Sequence, residues 1–144
     1  MRKATILFLL LCLTAVTTLA QSAADRIVGT YAADFASNEV KVKAFRYQDG
    51  YRLQICWLKK THNDDGTLKL DTKNPDAAKR TTPMSKVVLV EKVVYRDGIW
   101  QDGRIYDPKH GRTYKVELKL QDKTLEVKGK VGPFHKCFYW KKIQ

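Results

Sequence analysis

From about residue 26 onward the chain alternates apolar and polar positions and almost nowhere repeats at helical spacing. In "YKVELKL", Tyr114, Val116, Leu118 and Leu120 fall on one face, with Lys115, Glu117 and Lys119 on the other. "TLEVKGKV" repeats the pattern with Leu125, Val127, Gly129 and Val131, and "YRLQICW" places Tyr51, Leu53, Ile55 and Trp57 together. A period of two marks strands with one buried and one wet face. The links between them are hairpin chemistry: "QDG" at 48–50, "RDG" at 96–98, "DPKHG" at 107–111 and "QDK" at 121–123 supply Asp or Gly where the chain reverses. The pattern predicts strands at roughly 26–33, 38–47, 50–58, 86–95, 98–106, 112–120, 124–131 and 134–142.

Consecutive antiparallel hairpins with one apolar face bury it by closing on themselves, which also removes the edge strands. The expected fold is therefore all-β, an antiparallel up-and-down barrel of about eight strands. At that strand number the interior is either filled by side chains or holds one small ligand. Residues 59–85 form the one long irregular stretch, exceeding ordinary connections and so predicting a functional or lid-like loop. Within it Asn74 is placed to cap, Pro75 suits a first helical position, and "DAAK" supports one helical turn.

The N-terminus follows different rules. Arg2 and Lys3 precede the apolar run "ILFLLLCLTAV", and "TLA" stands before Gln21. That is the layout of a signal peptide cleaved after Ala20, with "SAA" before Asp25 as a second option, and the run is too short for a spanning helix. Cys12 lies inside the apolar run behind the bulky Leu11, which argues against lipid attachment. The expectation is export to the periplasm or beyond, with residues 21–144 as one barrel domain and no transmembrane segment.

Loss of Arg2 and Lys3 lowers the formal charge from +12 to +10, and the remaining basic residues are spread along the strands. Such spacing describes a solvated sheet exterior. The same charge favours anionic partners such as lipopolysaccharide or acidic glycan. Nucleic-acid binding wants solvent-facing aromatics among basic residues, and Tyr47 and Tyr139 are too few. In an oxidising compartment Cys56 and Cys137 form a disulfide only from adjacent strands with matched faces. Neither cysteine has neighbours at metal-ligand spacing.

Candidate chemistry is sparse. Asp107 and His110 suggest a proton-transfer pair, but "DPKHG" reads as a turn, with Pro108 presetting its angle and Gly111 closing it. The run "HNDDG…LDTKNPD" gathers His62, Asp64, Asp65, Asp71, Asn74 and Asp76 without the ordered spacing of a calcium loop, so turns and caps explain it. No nucleophile elbow, zinc-protease motif or phosphate-cradling glycine loop is present. The sequence therefore predicts no catalytic residues, no metal and no cofactor.

What it offers instead is a set of aromatics on apolar strand faces. Tyr31, Tyr51, Trp57, Trp100, Tyr106, Tyr114, Phe138 and Trp140 are candidates to line a cavity or its mouth, or equally to fill the barrel. Arg80, beyond the short helical turn, is a candidate to reach over the mouth toward a ligand anion or to pair with Asp107. A non-catalytic carrier of a small, largely apolar ligand is one reading. A packed barrel with a basic surface for the anionic envelope is the other.

Trp100, Gly103, Ile105, Tyr106, Asp107, Pro108, Gly111 and Tyr114 also form "W-x-x-G-x-I-Y-D-P-x-x-G-x-x-Y". This resembles the hallmark of an exported bacterial family known as domain of unknown function 2147. "WLK" at 57–59, "DDG" at 64–66, "KNPD" at 73–76, Arg80, Pro83, "LEVKGKVG" and Trp140 follow in the same order. Gly29-Thr30-Tyr31 stands where the family has Gly-x-Trp, and "FHKC" replaces its late "F-G-R-T" element. The resemblance implies a lipocalin-like (calycin) barrel, exported, without an established catalytic activity.

Overall fold

The structure, a computed structural model, describes residues 19–35 and 38–144. The expected signal peptide, Cys12 included, lies almost wholly outside them. Eight antiparallel strands close into a barrel in sequence order: β1 (Gly29–Phe35), β2 (Asn38–Tyr47), β3 (Gly50–Leu58), β4 (Val88–Arg96), β5 (Ile99–Asp107), β6 (Arg112–Gln121), β7 (Thr124–Val131) and β8 (Phe134–Lys142). The up-and-down barrel expected from the alternation is the observed fold.

Three two-residue hairpins, β2–β3, β4–β5 and β6–β7, gather at one end. Gln48, Asp97 and Asp122 open them with φ between 52° and 56°. Positive φ matches the turn to the right-handed twist of its flanking strands, and Asp tolerates that region better than bulky residues do. The N-terminal segment shuts this end. Residues 19–24 are helical and Asp25–Ile27 form a 3₁₀ turn, so the first strand starts at Gly29 rather than at residue 26. Ile27 is fully buried because this turn pushes it into the barrel.

Two departures from strict alternation matter for function. In the β2–β3 ladder Val42 faces Ile55 while Lys41 faces Trp57, which leaves Cys56 as an extra residue. An inserted residue inverts the phase beyond it. Cys56 and Trp57 are therefore both exposed, and Leu58 takes the buried position. Trp57 thus leaves the face it shares in sequence with Tyr51, Leu53 and Ile55, and Lys41 Nζ lies 4.8 Å from its ring centre instead.

The second departure is the β1–β8 seam. It is paired only at Tyr31–Lys142 and Ala32–Lys141, whereas β7 and β8 pair along their whole length. The seam is thus closed near the plugged end and unpaired toward the other. Cys56 and Cys137 are free thiols on β3 and β8, which are not neighbours in the barrel.

Candidate functional site

The two ends of the barrel differ in how their polar groups are used. At the plugged end each one is spent on closure. Trp100 Nε1 donates to the carbonyl of Ala24 at 3.1 Å, and the Tyr31 hydroxyl donates to that of Ile27 at 2.7 Å. Asp25 accepts from the Tyr51 hydroxyl and from Arg46 Nε, both at 2.7 Å. Arg46, then Tyr51, hold the Asp25 carboxyl well below the usual carboxylate range. Burial pushes the Tyr31 hydroxyl up to about 12, and burial followed by the hydrogen bond to Asp25 does the same to Tyr51. These hydroxyls are structural donors.

At the opposite end the barrel is hollow, with a cavity of about 570 Å³. Val40, Ile55 and Leu58 from β2 and β3 form one wall, facing Ile105, Val127 and Trp140 from β5, β7 and β8. Gly129 creates part of the room. A Cβ built there meets nothing nearer than 3.9 Å, and its backbone needs no glycine-only conformation. Phe138 points into the cavity yet stays 42% exposed, because β8 has no β1 partner at that height. The rim is polar and mixed in sign, with Lys69, Lys109, Lys136 and His110 beside Asp34 and Asp107.

The long connection between β3 and β4 is a fastened flap. Asp71, 1% exposed, accepts from the Tyr106 hydroxyl at 2.7 Å and from Asn74 Nδ2 at 2.8 Å. Burial and then this carboxylate raise the pKa of Tyr106, so its hydroxyl remains a donor. Lys73 Nζ donates to the carbonyl of Lys109 at 2.8 Å, and a Cβ at Gly111 would overlap the carbonyl oxygen of Lys73. Gly111 also has φ of 64°, so glycine is needed there for both turn and docking. The flap brings Lys69 and Met84 to the cavity. Its short helical turn is 3₁₀ over Ala77–Lys79, capped by Asp76 rather than by Asn74. Asn74 instead spends its side chain on Asp71 and on the amide of Asp76.

Of the nine residues singled out in the sequence, Tyr106, Tyr114, Phe138 and Trp140 border the cavity. Tyr31, Tyr51 and Trp100 sit at the plugged end, and Trp57 faces out of the barrel. Arg80 is exposed and donates from Nε to the carbonyl of Asn74 at 2.8 Å, which braces the flap without reaching Asp107 or the cavity. His110 is less idle than a bare turn tip suggests. Its Nδ1 lies 2.6 Å from Asp107 Oδ2 at the cavity rim, although the ring is mostly in water. Sequence reasoning missed Met84, Lys69 and Lys136 as cavity neighbours, since only the flap's docking and the strand register bring them there. Among the described residues no three His, Cys, Asp or Glu side chains group as a metal site, and no helix is long and apolar enough to cross a membrane.

The architecture has a solved counterpart. The chain is similar to a structure described as "Protein HP1028 from the human pathogen Helicobacter pylori belongs to the lipocalin family". The TM-score is 0.65 at 23% identity, over 82% of this chain and 83% of that one. At that identity the likeness speaks for the barrel alone, which is lipocalin-like. No functionally curated protein matches the chain. The residues that lock the flap, Asp71, Asn74, Tyr106 and Gly111, all fall within the span 29–142 that matches the family described as an uncharacterized protein conserved in bacteria (DUF2147), and the chain belongs to that family.

Proposed function

We propose that this protein is an exported, non-catalytic carrier that holds one small, largely apolar ligand in the open half of its barrel. The observation that carries the proposal is the cavity of about 570 Å³, walled by aliphatic and aromatic side chains. Its size lies within the range of roughly 300–1,000 Å³ usual for small-molecule sites. The space at Gly129 supports the carrier over the packed barrel that the sequence leaves open, because a filled interior has no place for a side chain there. Tyr106, Tyr114, Phe138 and Trp140 are the aromatic contacts of the ligand in this reading. Arg80 has no part in it.

Export rests on Arg2, Lys3 and the apolar run that follows, and places the carrier in the periplasm or outside the cell. The non-catalytic reading takes His110 and Asp107 as turn residues, bonded to each other in an exposed hairpin.

Gly129→Phe tests the carrier directly. The parent protein, incubated with a lipid extract and sprayed under native conditions, is expected to retain a bound small molecule. The variant is expected to fold equally well and stay empty. Equal loading of the two proteins would place the ligand elsewhere, and an empty parent would remove the carrier reading.

A further inference from the structure

Strand register assembles a surface that is scattered in the sequence. Across β5 to β8, Arg104 pairs with Lys115, Lys115 with Lys130, and Lys130 with His135. All four side chains are exposed on the outside of the barrel. At the usual strand separation of about 4.8 Å, they form a continuous basic row about 14 Å long. Like charges directly opposite each other destabilise a sheet. The same strands avoid this elsewhere: Glu117 stands opposite Lys128, and Lys119 opposite Glu126. Glu117 is also the carboxylate that reaches the row, 2.9 Å from Lys130 Nζ. Arg104 makes only a long 3.4 Å bond to the carbonyl of Thr113, and among the described residues Lys115 and His135 pair with no side chain by hydrogen bond or ion pair.

One residue beyond this row the chain turns apolar. Val131 and Phe134 flank the β7–β8 turn at 46% and 76% exposure, the latter the most exposed aromatic among the described residues. Lys136 and Lys109 stand nearby on the cavity rim. A hydrophobic tip with cations one residue behind it is the layout of an interfacial anchor, in which apolar groups enter the acyl boundary and cations meet the headgroups. A soluble polyanion would satisfy the cations but leave Phe134 in water.

We infer that the β5–β8 side of the open end docks on an anionic lipid surface, with Phe134 and Val131 inserted and Arg104, Lys115, Lys130 and His135 on the lipid phosphates. The inference does not depend on what the barrel holds. It orients the mouth of the cavity toward the bilayer.

Flotation with vesicles tests it. The protein is expected to float with phosphatidylcholine vesicles containing about one third phosphatidylglycerol, not with pure phosphatidylcholine, and to be released by about 0.5 M salt. Lys115→Gln with Lys130→Gln lowers partitioning roughly twentyfold, and Phe134→Ser lowers it several-fold, each with unchanged circular dichroism. Phe134→Trp gains a fluorophore whose emission shifts to the blue on vesicle addition. Equal flotation with neutral vesicles, or no loss in the double lysine variant, overturns the proposal. So does heparin binding as tight as vesicle binding with Phe134→Ser unaltered in both, which would mark a site for soluble polyanions.

Discussion

The plugged and open ends of this barrel are built from the same strands and the same kinds of residue, but to opposite effect. At the plugged end Tyr31, Tyr51 and Trp100 each bury a ring and give their polar atom to the N-terminal turn. At the open end Tyr114, Phe138 and Trp140 stand beside empty space, and the polar bonds go into fastening a flap around the mouth rather than filling it. An aromatic on an apolar face thus says that the face is buried, not what it is buried against. Partners distant in the chain decide that. The plug comes from residues 21–27, and the rim from residues 69–84 and 107–110.

The largest expected contrast is between Trp100 and Phe138. Trp100→Ala removes a fully packed ring and strands the carbonyl of Ala24, and is expected to cost about 3–5 kcal/mol in urea unfolding. Phe138→Ala removes a ring that lines the cavity and is 42% exposed, so fewer contacts are lost and about 1–2 kcal/mol is expected. Equal costs would mean that the open half is as tightly packed as the plugged half. The distinction between the two ends would then fail.

A smaller effect probes the flap. Tyr106→Phe deletes the donor to Asp71 Oδ1 and leaves that buried oxygen without its hydroxyl partner, at a cost of about 1–3 kcal/mol. The loss should be local before it is global. Amide exchange at Asp71 and Asn74 should quicken, and protease cleavage within 59–85 should rise, while the β6–β7 ladder stays protected. Uniformly faster exchange over the whole barrel would show that the flap is part of the core and not a separately held element.

Much of this was legible in the chain, and what was not has a common cause. Alternation at 112–120 and 124–131 with Asp-containing links suffices for strands, hairpins and closure, because each depends on neighbours in sequence. Features set by pairing do not appear in a single strand. The bulge at Cys56 depends on how β2 meets β3, and it moves Trp57 from inside to outside. The Asp71–Tyr106 bond joins residues 35 apart. The basic row from Arg104 to His135 exists only once three registers are fixed. Tyr106, Tyr114, Phe138 and Trp140 were reachable as cavity neighbours only as aromatics on apolar strand faces. Nothing local separates them from Tyr31, Tyr51 and Trp100, which share the same pattern at the other end.

The smallest predicted effect isolates the plug through its charge. Asp25 ionises well below an ordinary aspartate in the folded chain, chiefly because Arg46 and the Tyr51 hydroxyl bond its carboxylate. A folded-state pKa below the unfolded one means that unfolding takes up a proton in acid. The stabilisation is therefore complete above the ordinary aspartate value of 3.8 and is lost as the pH falls from there through the folded value. Asp49, held down by Lys92, and Asp65, held down by Thr67, act in the same direction, so the parent loses stability in acid for several reasons at once. Asp25→Asn separates them. Asparagine still accepts from Tyr51 but carries no charge for Arg46, so a deficit of about 1 kcal/mol is expected near pH 7. That deficit should stay level down to about pH 5 and shrink toward zero below pH 3. A deficit independent of pH would mean that Asp25 closes the barrel by shape and neutral hydrogen bonding, leaving its charge no role in the plug.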